Sequence, residues 1–156
     1  MERDRALALK QVKLMLDHEL PAVESVKRRI LIVTTWRSGS TFTMHLLSSL
    51  PATYSHFEPL MEFHFSDLSI GTNRTTAEEM VESLFRCQYN EKRSLFHNYL
   101  HRKPNQEREF MFKKNERVWN ICRHQFPPSR GDDGLCFDAT FLQDACQLFP
   151  IQVISF

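Results

Sequence analysis

The sequence predicts an α/β fold in which a parallel sheet is flanked by helices. Three observations carry that prediction. Ile30-Leu31-Ile32-Val33-Thr34-Thr35 is a continuous apolar and β-branched run, the pattern of a strand buried on both faces. Strand and helix patterns alternate along the chain from there. No domain linker or internal repeat interrupts 156 residues, the length of one ordinary domain.

Taken in order, residues 5–20 form an amphipathic helix, with Leu9, Val12, Leu16 and Leu20 three or four apart and Pro21 as its stop. The strand at 30–35 follows. Helical spacing resumes over 40–50, with Phe42, Leu46 and Leu50 as the inward stripe. A second strand spans 53–57, closed by Glu58-Pro59. Residues 75–88 read as a helix with Met80, Leu84 and Cys87 inward, entered through a capping box at Thr75. Residues 90–117 are charged and weakly periodic, the pattern of short helices and surface loops. The Pro/Gly-rich stretch 127–134 is a loop. A short helix over 139–148 leads to a third strand over 151–156, where the chain stops inside an apolar pattern. That ending is expected of a piece of something longer.

Composition excludes several classes. Apolar residues make up 42% and aromatic residues 12%, too much core material for a disordered chain. The formal net charge of +1 provides no field for nucleic acid. The apolar runs are about four residues long, against about 20 for a membrane span. Met1 is followed by the mixed-charge Glu2-Arg3-Asp4-Arg5, which is not a signal-peptide pattern. The four cysteines, Cys87, Cys122, Cys136 and Cys146, show no CxxC spacing. They fit either two disulfides or four buried thiols.

The chemistry lies at the first strand-to-helix junction. Trp36-Arg37-Ser38-Gly39-Ser40-Thr41-Phe42 joins a strand to a helix whose N-terminus is a ready anion site. Arg37 adds a planar donor fork, and Ser38, Ser40 and Thr41 add hydroxyls. Gly39 permits close backbone approach and positive φ. The simpler alternative is an ordinary α/β turn with Ser40 as N-cap. The string GxxxxGK[ST] is absent, and so are GxSxG and the three-glycine dinucleotide fingerprint.

Residues Thr34 to Phe42, followed by Tyr54-Ser55-His56-Phe57-Glu58-Pro59-Leu60, resemble the Golgi carbohydrate sulfotransferases, in particular the branch that sulfates the 6-hydroxyl of N-acetylglucosamine, galactose or N-acetylgalactosamine. Weaker blocks follow in the same order at 80–88 and 144–154. The resemblance covers about residue 29 to the end. It implies a P-loop-like layered fold, with 1–28 as a helix and lead-in and 29–156 as a partial donor-binding core. Arg37, Ser38, Gly39, Ser40, Thr41, Phe42 and Thr43 would cradle the 5′-phosphosulfate of 3′-phosphoadenosine 5′-phosphosulfate, without a metal. Glu58 would take the proton of a glycan acceptor's hydroxyl as general base, with His56 and His64 as alternatives.

The resemblance also implies a Golgi-lumenal setting. The sequon Asn73-Arg74-Thr75 is consistent with this. In that setting the cysteines would pair, Cys122 with Cys136 being one choice among three pairings. The Arg-Asp-Pro-Arg stretch with which the family grips the 3′-phosphate does not occur, and neither does the family's membrane anchor. The expected molecule is therefore the front part of a catalytic domain, binding donor weakly and turning over poorly alone. A non-catalytic remnant or binding domain, and another P-loop-like nucleotide enzyme, are the rival readings.

Overall fold

A computed structural model describes residues 1–19, 27–34, 39–60, 72–89, 114–127 and 134–155. Its elements run α1 (Glu2–Glu19), β1 (Arg28–Ile32), α2 (Ser40–Ser48), β2 (Thr53–Phe57), α3 (Thr72–Phe85), α4 (Glu116–Asn120), a π-helical turn (Ile121–Gln125), a 3-10 turn (Leu135–Phe137), α5 (Ala139–Leu148) and β3 (Ile151–Ser155). The three strands form one parallel sheet in the order β1-β3-β2. The protein is thus α/β, a small parallel sheet flanked by helices. Among the described residues, no helix is long and apolar enough to cross a membrane.

The register aligns Ile32, Ser155 and Phe57 at one end of the sheet. All three strands therefore present their carboxyl ends along a single edge. Parallel partners share a face, so Ser55 and Val153 point one way, and Tyr54 and Gln152 the other. Helix α2 covers the first face, where the Ser48 and Ser55 hydroxyls meet at 2.6 Å. On the second face Gln152 Nε2 lies 2.9 Å from Cys87 Sγ, just beyond α3.

β2 and β3 are buried almost throughout. β1 is not, contrary to the expectation of double-sided burial. Ile32 is buried, whereas Leu31 is 47% exposed and Val33 73%. β1 lies at the edge of the sheet, and only its α2 face is covered among the described residues.

The inward stripe of α2 also differs. Phe42, Leu46 and Leu50 are exposed, and Met44 is buried with Leu47 packed beside it. α2 carries two apolar stripes, and periodicity alone cannot choose between them. The Ser48–Ser55 contact turns the Met44 side to the sheet. Met80, Leu84 and Cys87 are buried as expected. Their helix begins at Thr72, so Thr75 lies inside it and is no cap.

α1 buries Ala8, Val12 and Leu16; Leu20 lies outside the described residues. Arg5 makes a two-pronged contact with Asp138, at 3.1 and 3.0 Å. Asp138 Oδ1 also accepts from the Phe141 N–H as the N-cap of α5, which ties α1 to that helix start. The cysteines form two disulfides, Cys87–Cys146 and Cys122–Cys136.

Candidate functional site

Gly39 is the N-cap of α2 and has φ +88°, ψ +17°. An L-residue pays for that left-handed conformation with steric strain, and glycine does not. A Cβ at Gly39 would meet nothing within 4 Å. Backbone geometry therefore calls for the glycine, and the space beside it is open among the described residues. No acidic residue occupies the first turn of α2, so no carboxylate of that turn opposes the positive end of the helix.

The proposed cradle divides into three parts. Arg37 and Ser38 lie outside the described residues. Ser40 is half-buried, and Thr41, Phe42 and Thr43 are exposed on the first turn. The Thr43 hydroxyl donates to the Gly39 carbonyl at 3.3 Å, alongside the Thr43 N–H at 3.1 Å, and so braces the turn from within.

Glu58 follows β2 at the carboxyl edge of the sheet, as expected. Its φ is +46°, left-handed for a non-glycine residue, and its N–H donates to the Ser155 carbonyl at 3.1 Å. The bond to β3 holds this sharp exit from the strand. Partial burial raises the Glu58 carboxyl above its ordinary range, and the Lys114 charge pulls it back.

His56, one alternative base, is buried at 4% exposure on the Tyr54 face. Its Nε2 lies 2.7 Å from the Tyr89 hydroxyl, and Nδ1 has no partner. Burial pushes its pKa down to about 3, so the ring is neutral and forms part of the core. His64 lies outside the described residues.

Sequence reasoning missed Lys114, His45 and Asn115. Lys114 Nζ donates to His45 Nε2 at 2.6 Å and lies 5.0 Å from the centre of the Phe57 ring. Asn115 holds the backbone of Ser55 with both ends of its amide. The only hint was that Lys114 and Asn115 sit in a charged stretch.

Arg117 organises the opposite end of α2. Its guanidinium donates to the carbonyls of Ser48, Ser49 and Leu50 and to Glu19 Oε1. It therefore caps the negative end of the helix. A cavity of about 210 Å³ lies beside it, lined by Ser49, Thr53, Asn115, Arg117 and Phe149 among others. Of β2, only the first residue, Thr53, is among its lining, and Lys114 lines it as well.

Comparison with protein-family models, curated proteins and solved structures gives no match.

Proposed function

We propose that this chain is the donor-binding part of a carbohydrate sulfotransferase. It would move a sulfuryl group from 3′-phosphoadenosine 5′-phosphosulfate to a sugar hydroxyl, the 6-hydroxyl of N-acetylglucosamine or a related hexose. One observation carries the reading. The left-handed glycine that opens α2 and the carboxylate that closes β2 follow strands whose carboxyl ends share one sheet edge. Ligands of open α/β sheets bind at such edges.

The donor's 5′ end fits the open, acid-free N-terminus of α2. Arg37 supplies the full positive charge, and Ser38, Ser40 and Thr41 supply further donors. The acceptor oxygen forms its bond to sulfur as the bond from sulfur to the phosphate oxygen breaks. The hydroxyl proton passes to Glu58, and the electron pair leaves on the phosphate of adenosine 3′,5′-bisphosphate. Such a transfer asks chiefly for positioning and charge stabilisation. The proposed setting is the Golgi lumen, and the two disulfides support an oxidising compartment.

Calorimetry with adenosine 3′,5′-bisphosphate tests the cradle. Binding without added metal, lost in Arg37→Ala, is the expected result. Absent binding, or equal affinity in the variant, overturns it. Binding that requires magnesium points instead to another P-loop-like nucleotide enzyme. Binding without transfer to any sugar points to a non-catalytic domain.

A further inference from the structure

We infer that the cavity at the amino end of β2 is a second binding site, which takes a neutral, hydroxyl-bearing small molecule the size of a single sugar. It is separate from the proposed transfer site. Thr53 opens β2 and Glu58 follows its last residue, so the two sites lie on the order of 15 Å apart along the strand.

The cavity has a buried floor and an exposed rim. Thr53, Val118 and Phe149 line the floor, at 5%, 2% and 1% exposure. Glu116 and Asn120, neighbours one turn apart on α4, line the rim. The volume of about 210 Å³ far exceeds the roughly 10–15 Å³ that one water needs.

The floor carries an unmet demand. The Thr53 hydroxyl is buried and has no hydrogen-bond partner among the described residues. Ser55 lies on the same face of β2, and its hydroxyl is paired with Ser48 at 2.6 Å. A buried hydroxyl left unpaired is costly, and the large majority find a partner in protein, water or ligand. Thr53 is therefore the polar anchor for an occupant of the cavity.

Charge argues for a neutral occupant. Arg117 lines the cavity, but four of its five N–H groups already donate, to Glu19 and to the carbonyls of Ser48, Ser49 and Leu50. The Glu19 carboxylate matches its charge at 3.0 Å. The Lys114 ammonium is held by His45. A cation would still meet both of these side chains, and an anion would meet the exposed Glu116 carboxylate at the rim. The Thr53 hydroxyl and the Asn120 amide remain, and each can both donate and accept. A ligand hydroxyl does the same. Val118 and Phe149 supply the apolar wall against which the C–H face of a sugar packs.

The test is an amide and side-chain NMR titration of the full chain with N-acetylglucosamine, without nucleotide. Saturable shifts at Thr53 and Asn120 are expected. Thr53→Val keeps the shape and removes the hydroxyl, and affinity read at Asn120 is expected to fall about two- to tenfold. Equal affinity in that variant overturns the inference. Should Thr53→Val fail to fold, Asn120→Ala on the exposed rim is expected to weaken binding read at Thr53 by about twofold or more, and equal affinity there is the negative result. Inorganic sulfate is expected to leave the Thr53 and Asn120 signals in place; saturable shifts with sulfate overturn the choice of a neutral ligand. Sugar-induced shifts confined to Gly39 and Glu58 overturn the second site while leaving the proposed transfer site standing. No shift anywhere means that the cavity holds water only, and also overturns it.

Discussion

The Asn115 side chain pairs with the Ser55 backbone as a neighbouring strand would: Oδ1 accepts from the Ser55 N–H and Nδ2 donates to the Ser55 carbonyl, both at 2.6 Å. β2 is an edge strand, and its outer N–H and C=O groups need partners once buried. Asn115 stands at the N-cap of α4 but does not cap that helix, because its amide is engaged with β2. Asn115→Ala leaves a buried donor and a buried acceptor without partners. Chemical denaturation is expected to show a loss of about 2–4 kcal/mol. A loss below about 0.5 kcal/mol would mean that water replaces the amide at no cost.

Gly39→Ala tests the left-handed cap. The added methyl meets open space, so the penalty comes from backbone strain alone. About 1–2 kcal/mol is expected. Affinity for adenosine 3′,5′-bisphosphate should fall with it, since the first-turn N–H groups are re-aimed. Unchanged stability together with unchanged affinity contradicts the placement of this glycine.

His56 makes stability depend on pH. Its folded pKa, about 3, lies below the ordinary 6.5, so the unfolded chain binds the extra proton first. This contribution is fully present above 6.5 and is lost as pH falls from there toward 3. Between these values the slope from this group approaches about 1.4 kcal/mol per pH unit. Denaturant midpoints across that window should show a shallower fall in His56→Gln. A parallel pH profile in the variant would assign the acid sensitivity elsewhere.

Glu58 runs the other way. Its carboxyl is raised above the ordinary 4.5, so the folded chain holds that proton more tightly. Stability from this group is present below 4.5 and declines as pH rises through the raised value. Glu58→Gln is therefore expected to be as stable as wild type at neutral pH, or slightly more stable, while sulfuryl transfer is lost. A marked loss of stability at pH 7 would make Glu58 a structural residue.

The two disulfides differ in reach, joining residues 59 and 14 apart. Chain-entropy arithmetic assigns about 4 kcal/mol to Cys87–Cys146 and about 3 kcal/mol to Cys122–Cys136. Thermal unfolding of Cys87→Ala/Cys146→Ala should show a lower Tm than that of Cys122→Ala/Cys136→Ala. The reverse order would point to native contacts, rather than loop length, as the deciding factor.

Much of the framework was legible in the chain. Thr53–Phe57 reads as a strand because Pro51 and Pro59 bracket a run of β-branched and aromatic residues, and that placed Glu58 at the strand's end. The helix holding Met80 and Leu84 was legible from its 3.6-residue period. The same rule misjudged α2, where two apolar stripes compete and only the sheet beneath selects one. Beyond a charged stretch, Lys114, Asn115 and His45 gave no local signal, because the partners described for them lie more than 50 residues away in sequence.

The sequence by itself determined the order of strands and helices, the glycine before α2 and the carboxylate after β2, since each follows from local sterics and hydrophobic period. Tertiary structure alone decided which stripe of α2 faces inward and that the Asn115 amide pairs with the Ser55 backbone. It also decided that β3 enters between β1 and β2, bringing their carboxyl ends to one edge. Those outcomes depend on what packs against each element, and burial is a property of pairs of segments that no single stretch of chain contains.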